Sequence, residues 1–517
     1  MSYGSGVGRM GRIWIFLIVA GAALAMRTPF ALEHFRLYPD AIAYLDIARN
    51  LSDGNGFTSA LKLNYFHSSG VTHCALSDWP PLYPLLAGGI LTLVPNEIVL
   101  QLVNALLVGA AAGLVFLLGD KLFDRRTGLL AGLFAAIAPN LFRSGIAGMS
   151  DPLDLVLALG ALMIGISAKG RPTWWAAAGV VAGAAYLARF SNAVILLAFV
   201  PFLLLERSER RNVWPCLAGF VLAAGPLLAW KWGLYGSPFH SAQMFHYRTE
   251  SFRLASWNGY ASTSVIDPNY LMHNMSTVAA AVWRNTLAYA GNLFVGTGGL
   301  FLLSGGLVAL GVTGPRGLFT RERVLVLAVA AMHFAIYAST WSIPPVQGSR
   351  FLMVSYCLLL PFCAAGVVRA LESTTAAVRV GAIGVCMVVI AVYCHACFLA
   401  AGSTHGQFEP LDASVVRWAG TALPPGTNVA SNNPWMIRDA TGLPSAALPW
   451  NLDREKLAEF LREYDIGAVI LLASTNKSLT LETIEKERAR FGKGVSRNNE
   501  VRVEQVGSAL VAVPVRQ

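Results

Sequence analysis

Asp40 lies in the stretch Tyr38-Pro39-Asp40-Ala41-Ile42-Ala43-Tyr44-Leu45, and Tyr44, Ile47 and Leu51 follow it at helical spacing. Gly54 is a stop signal. The spacing predicts a short amphipathic helix lying along a bilayer surface, between a membrane span and an apolar segment. A carboxylate at its start, close to lipid headgroups, suits a lipid-linked substrate. The same residue also suits an N-cap, accepting a hydrogen bond from a free backbone N–H. Spacing alone leaves both readings open.

Four more charges stand where charge is expensive. Arg143, Asp151, Arg189 and Arg350 fall at the outer ends of predicted apolar spans, on the side that holds Asp40. A charge at the membrane centre costs roughly 2.5–3.5 kcal/mol on insertion scales, and such residues usually face a cavity or a partner. Near a span end an Arg can instead snorkel to the headgroups. Asp151, in Gly148-Met149-Ser150-Asp151-Pro152-Leu153, can likewise be a helix cap. Arg350 follows Pro344-Pro345-Val346-Gln347-Gly348-Ser349 and opens a span.

The elements that must position these residues are membrane helices. Of 517 residues, 55% are hydrophobic and 13% charged, far more apolar than a soluble chain of this size. About eleven apolar runs can be placed, near 12–26, 98–119, 127–142, 152–168, 173–188, 191–205, 213–232, 284–311, 324–341, 351–368 and 380–401. The first lacks a small-residue cleavage site and reads as a retained span. Threaded this way, Arg9, Arg12, Lys121, Arg125, Arg126, Lys169, Arg171, Arg207, Arg210, Arg211, Arg316, Arg321, Arg323, Arg369 and Arg379 share one side. The positive-inside rule makes that side cytoplasmic. The N-terminus is then inside, and the loops 27–97 and 233–283 and the C-terminus are outside. The net charge of +10 therefore speaks of topology and not of nucleic acid. The seven cysteines imply no disulfide framework, because all but Cys74 lie in or beside spans. Cys394-x-x-Cys397 has no second pair and implies no zinc site.

The loop 233–283 carries Tyr235, Phe239, His240, Phe245, His246, Tyr247, Trp257, Tyr260, Tyr270 and His273, with Arg248 and Arg253. Interface anchoring accounts for such aromatics, and the His and Arg leave room for substrate contact. The tail from about 403 changes character. A short strand at Asn428–Ser431, a helix over Asp453–Tyr464, a strand buried on both faces over Ile466–Ala473, a helix near 480–491 and a closing hairpin of Val501–Val506 with Ala509–Val515 make a small α/β domain. No catalytic motif stands out in it, which suggests a lid, an acceptor-docking unit or an assembly unit. The expected organisation is a membrane domain over 1–402 and an extracytoplasmic domain over 403–517.

The order of these features resembles the GT-C superfamily of integral membrane glycosyltransferases. Its family 39 branch, which includes protein O-mannosyltransferases and lipid A aminoarabinose transferases, is the nearest likeness. Those proteins carry an Asp in the first outer loop on a helix of the form Asp-x-x-x-Tyr-x-x-x-Ala, matched by Asp40, Tyr44 and Ala48. A Pro-Pro-Leu-Tyr element before the second span is matched by Pro80 to Tyr83, and a basic turn after it by Lys121 to Arg126. A second acid after the third span is matched by Asp151. An Arg that opens a late span is matched by Arg350, with Leu358 to Pro361 after it. The likeness covers roughly 1–400. The chain departs from the branch at Ala41, where many members have a second acid. It departs again at Asp78-Trp79, where many have Glu-Lys, which removes one phosphate contact. It is more similar to the divergent bacterial members whose acceptors are sugars or lipids.

The resemblance implies a sugar donor on a polyprenyl phosphate, an acceptor hydroxyl and inversion at the anomeric carbon. A phosphate leaves as a stable anion and needs cations, and the planar guanidinium fork pairs with it bidentately. Arg350, Arg143 and Arg189 are the candidates, in that order. Asp40 is the candidate base for the acceptor proton. Asp151 and Asp78 would bind acceptor hydroxyls or hold an Arg in place, and Tyr44 belongs to the same substrate-binding set. With Ala41 after Asp40 no compact metal-ligand set is present, and no cofactor is expected. The expected location is a bacterial inner membrane, with the site on the outer side. Two other classes fit the composition. A lipid or sugar transporter predicts midplane charges, broken central helices and internal repeats, and no repeat is found. A non-catalytic assembly protein predicts that Asp40 is dispensable.

Overall fold

The protein is described by a computed structural model covering residues 4–33, 39–65, 70–241, 269–294, 319–340, 350–373, 375–404, 411–449, 454–472, 501–506 and 509–514. The first span, α1 (Gly4–Glu33), continues past the expected end at Met26, so residues 27–33, expected in the first long loop, are helical. The predicted surface helix is α2 (Pro39–Ser52), and a short apolar helix, α3 (Leu82–Leu93), packs against it. Two helices, α4 (Ile98–Leu122) and α5 (Arg125–Ile137), form a hairpin whose turn is capped by Asp124, which accepts from the Thr127 N–H.

The span expected at 127–142 is two helices. The chain is extended at Ala138, and α6 (Pro139–Gly145) starts anew. Proline has no N–H to continue a helix, and it forces the residue before it out of the helical region. Next come α7 (Asp151–Ala168) and α8 (Pro172–Ala188). Arg189 is then extended, one 3-10 turn covers Phe190–Asn192, and α9 (Ala193–Leu204) and α10 (Val213–Tyr235) follow. The pair α8 and α10 cross very closely. A Cβ on Gly179 would stand 2.0 Å from the Cys216 carbonyl oxygen, and one on Gly219 would stand 2.1 Å from that of Ala176. Small residues let helix backbones approach in this way inside a membrane.

The remaining described helices of the bundle are α11 (Met275–Phe294), α12 (Arg321–Thr340), α13 (Met353–Leu371) and α14 (Ala376–Thr404). Among the described residues seven helices, α1, α4, α7, α10, α12, α13 and α14, are long and apolar enough to cross a membrane. The other four expected spans are the broken α5–α6, the shorter α8 and α9, and 284–311, of which 295–311 lies outside the described residues. This is a multi-pass membrane protein. Trp14, Leu17 and Ile18 on α1, Leu222 and Trp232 on α10, and Met387 and Val388 on α14 are exposed. They are the side chains a bilayer would cover.

On the Asp40 side the first loop forms β1 (Thr58–Ser59), β2 (Leu61–Lys62) and β3 (His73–Cys74), with β1 and β3 antiparallel. The tail adds α15 (Ala413–Ala422), β4 (Asn428–Ser431), α16 (Pro434–Thr441), β5 (Ser445–Ala447), α17 (Arg454–Glu463), β6 (Ile466–Leu472), β7 (Val501–Val506) and β8 (Ala509–Pro514). The strand, helix and hairpin read from the sequence are there. The helix expected near 480–491 lies outside the described residues, and α15, α16 and β5 are additions. The sheet order is β2-β5-β4-β6-β8-β7, parallel from β2 to β6 and antiparallel through the hairpin. Its edge strand β2 comes from the first loop. The tail sheet and the Asp40 loop are therefore one structure.

Candidate active site

Asp40 sits in the first turn of α2, behind Pro39, which favours a first helical turn because its missing N–H is not needed there. Its carboxylate does not turn back to its own helix end. Oδ2 accepts from Arg350 Nη2, across 310 residues of sequence. Arg350 reaches a second carboxylate as well, its Nε standing 3.5 Å from Asp151 Oδ1. The same Asp151 oxygen accepts from Arg189 Nη1 at 2.7 Å. Asp151 Oδ2 is buried and makes no hydrogen bond among the described residues. Two carboxylates and two guanidiniums thus alternate in the order Asp40, Arg350, Asp151, Arg189. The Phe351 ring lies against both cations, 4.8 Å from the Arg350 guanidinium carbon and 5.2 Å from that of Arg189. Burial opposes the charge on Arg350, but Asp40 and Asp151 outweigh it and hold the guanidinium ionised.

Local sequence explains each placement. Gly148 has φ +63°, a left-handed conformation that glycine adopts without strain. The turn it makes presents the Met149 carbonyl to Asn104 Nδ2 at 2.8 Å and the Ser150 hydroxyl to the Tyr44 oxygen at 2.9 Å. Asp151 follows as the first residue of α7, and its carboxylate goes to the two arginines and not to a cap. Arg189 stands at the break between α8 and α9, where the sequence places the gap between two apolar runs. Irregular backbone at membrane depth is tolerated where protein surrounds it or where it lines a site.

Tyr44 lies one turn after Asp40 and is buried, edge-on to Trp79 and Tyr83 with ring centroids 4.9 and 5.3 Å away. Burial pushes its phenol above the usual range, so it stays protonated and able to donate. Asp78 is engaged with its own loop. Its Oδ1 accepts from Asn64 and Ser77, and its Oδ2 meets His73 Nε2 at 2.7 Å. Arg143 is not in the cluster. It is half-buried near the end of α6, within electrostatic reach of Cys397 on α14, and makes no ion pair among the described residues. Of the loop 233–283, residues 242–268 lie outside the described residues, so Phe245, His246, Tyr247, Arg248, Arg253, Trp257 and Tyr260 do too.

Three participants were missed. Asp154 sits one turn below Asp151 and lies 3.8 Å from Arg189 Nη1. Asn192 donates to Asp154 and to the Ala185 carbonyl, and its own oxygen meets His333 Nε2 at 2.9 Å. All three are buried. The signal was available: Asp154 and His333 are ionisable residues inside apolar spans, which usually mark a function. Among the described residues no group of three or more His, Cys, Asp and Glu side chains could hold a metal ion. Between the carboxylates of Asp40 and Asp151 stands the Arg350 guanidinium.

Residues 78–230 match the family described as dolichyl-phosphate-mannose-protein mannosyltransferase. The fold is similar to that of the oligosaccharyltransferase AglB from Archaeoglobus fulgidus, solved with an inhibitory peptide and a dolichol-phosphate. The TM-score is 0.60 at 13% identity, over 90% of this chain and 70% of that one. It is also similar to ArnT from Cupriavidus metallidurans bound to undecaprenyl phosphate. There the TM-score is 0.58 at 14% identity, over 97% of this chain and 98% of the other. No curated protein matches the sequence. The chain therefore has the GT-C fold of integral-membrane glycosyltransferases and carries, over residues 78–230, the sequence pattern of the dolichyl-phosphate-mannose-protein mannosyltransferase family.

Proposed function

We propose that the protein transfers a sugar from a polyprenyl-phosphate donor to an acceptor hydroxyl, with inversion, at the Asp40 side of the membrane. The observation that carries this reading is Arg350, held between Asp40 and Asp151. A guanidinium fork between carboxylates is poised to exchange one of them for a phosphate, which it pairs with bidentately. In this reading the donor phosphate draws Arg350, with Arg189 beside it, and the Asp40 carboxylate is freed. The acceptor hydroxyl gives its proton to Asp40 while its oxygen forms a bond to the anomeric carbon. The bond from that carbon to the phosphate oxygen breaks on the opposite face. Its electron pair stays on the phosphate, so the leaving group takes no proton.

Asp151 keeps the two arginines charged and in place. Of the two roles expected of Asp151 and Asp78, binding acceptor hydroxyls or holding an Arg in place, this reading gives Asp151 the second. Arg143 is not needed for the phosphate in this reading, and no metal is invoked. The basic loops at the other end of the bundle argue that the Asp40 side is extracytoplasmic, in keeping with a bacterial inner-membrane enzyme. The test uses purified protein in proteoliposomes with radiolabelled polyprenyl-phosphate sugars. Asp40→Asn is expected to lower transfer by about 10²–10⁴-fold, the span typical of a general base, while donor binding persists. Arg350→Ala is expected to weaken donor binding itself. Full transfer by Asp40→Asn removes the base assignment, and unchanged donor affinity in Arg350→Ala removes the phosphate assignment.

A further inference from the structure

The helix that carries Asp40 has a second anchor. Six residues after Asp40, on a different face of α2, Asp46 is 1% exposed. Its Oδ2 accepts from Ser59 Oγ at 2.7 Å and from the Ala60 N–H at 2.8 Å, and its Oδ1 accepts from Arg438 Nε at 2.7 Å. Arg438 belongs to α16 of the C-terminal unit. Its Nη1 donates to the Gly442 carbonyl, which fixes the plane of the guanidinium. Three residues earlier on α16, Trp435 packs into one apolar cluster with Ala41, Ile42, Leu45 and Ala48 of α2. Directly after Ala60 the chain becomes β2, and directly after Pro444 it becomes β5. The two strands pair, Leu61 with Ser445 and Lys62 with Ala446, and the Ser445 N–H donates to the Ala60 carbonyl.

A buried ion pair, an apolar contact and a shared sheet edge therefore join α2 to α16 over the same few residues. A buried pair adds little net stability, because desolvation offsets its attraction, but it can fix one geometry among several. The first turn of α2 is held by Arg350 of the bundle and its middle by Arg438 of the tail. Nearby, Arg49 pairs with Asp439 at 3.3 Å on the exposed surface, where such contacts contribute little.

We infer that Arg438 is a positioning residue for Asp40. Through Asp46 it sets the height and rotation of α2, and the C-terminal unit is a fixed wall of the active site and not a swinging lid or a docking appendage. This rests on the reading of Asp40 as the base. The experiment compares Arg438→Ala, Arg438→Lys and Asp439→Asn in the full chain. It measures donor Kd, kcat for transfer, and hydrogen exchange of peptides covering 39–52 and 466–472.

Arg438→Ala is expected to lower kcat by up to about 100-fold, the loss that a 1 Å misplacement of a reacting group can cause. Donor Kd should stay unchanged, because Arg350 and Arg189 are untouched. Exchange should quicken in 39–52 and stay slow in 466–472. Arg438→Lys should recover part of the rate, and Asp439→Asn should match the wild type. If Arg438→Ala does not fold, the pair Asp46→Asn with Arg438→Gln removes both charges together, and the same separation of kcat from Kd is expected of it. Wild-type kcat in Arg438→Ala or, if that does not fold, in the Asp46→Asn with Arg438→Gln pair, or unchanged exchange in 39–52, overturns the inference. If the wild type transfers no polyprenyl-phosphate sugar, the reading of Asp40 as the base fails, and exchange in 39–52 still decides whether Arg438 holds α2.

Discussion

Arg126 with Glu372 and Arg189 with Asp151 are both arginine–carboxylate pairs, closed at 2.8 and 2.7 Å. They lie toward opposite ends of the bundle. The first has side chains 79% and 54% exposed, and among the described residues each partner has only the other. The second has side chains 13% and 1% exposed, and Asp151 is shared with Arg350, which is shared with Asp40. Two other pairs at the basic-loop end, Arg12 with Asp120 and Arg321 with Glu206, are likewise single among the described residues, and each has an exposed partner. Water screens an exposed pair, and its side-chain entropy cancels much of the gain. A buried chain of charges has no such freedom: each member depends on the next, and an anion arriving there meets cations already desolvated and aimed. The difference between the two sets of charges is thus one of burial and convergence, not of residue type.

The comparison can be broken from its stronger end first. Asp151→Asn takes the shared counter-ion from two arginines and should cost about 3–5 kcal/mol, the usual cost of breaking a buried pair. Thermal unfolding in detergent measures it, and a loss no larger than that of a surface pair would erase the distinction drawn here. An intermediate case is Lys62 in β2, where the residue is 2% exposed within the composite sheet and lies 5.2 Å from the Tyr464 ring. Burial lowers its pKa from 10.5 to about 8, against the opposing pull of Asp78 and Glu463. Between those values the unfolded chain binds the proton more tightly than the folded one, so stability should rise as pH is raised from about 8 towards 10.5. A rising protection factor in β4–β6 peptides over that range, with the base-catalysed rise of intrinsic exchange divided out, would show it, and Lys62→Met should flatten the dependence. At the weak end, Glu372→Ala should change stability by less than about 1 kcal/mol and leave transfer untouched. A drop in transfer would mean that the basic-loop end is coupled to the site.

Much of the site was legible in the sequence. Asp40 and Tyr44 were placed on one short helix by spacing, and Asp151, Arg189 and Arg350 were picked out because charge at a span end has to be explained. Asp154 and His333 carried the same signal more strongly and were passed over, since they sit within helices whose apolar average hides them. Arg143 shows the limit in the other direction. It looks like Arg189 in sequence, yet the break at Pro139 begins a new short helix, and Arg143 lies by Cys397 of α14 and not by Asp40. Nothing local could have revealed Arg438 or β2. A two-residue strand has no periodicity, and its partner is nearly four hundred residues away.

Composition and apolar periodicity by themselves determined that this chain crosses a membrane many times, and the basic loops suggested which ends lie together. Hydrophobic burial and the cost of bare backbone in lipid are properties of each segment alone, so a segment's residues suffice to declare them. Which arginine meets which carboxylate, and that the tail completes the sheet beside Asp40, was decided only in the folded molecule. Those contacts are between distant segments, and their strength depends on geometry and desolvation that no stretch of sequence contains.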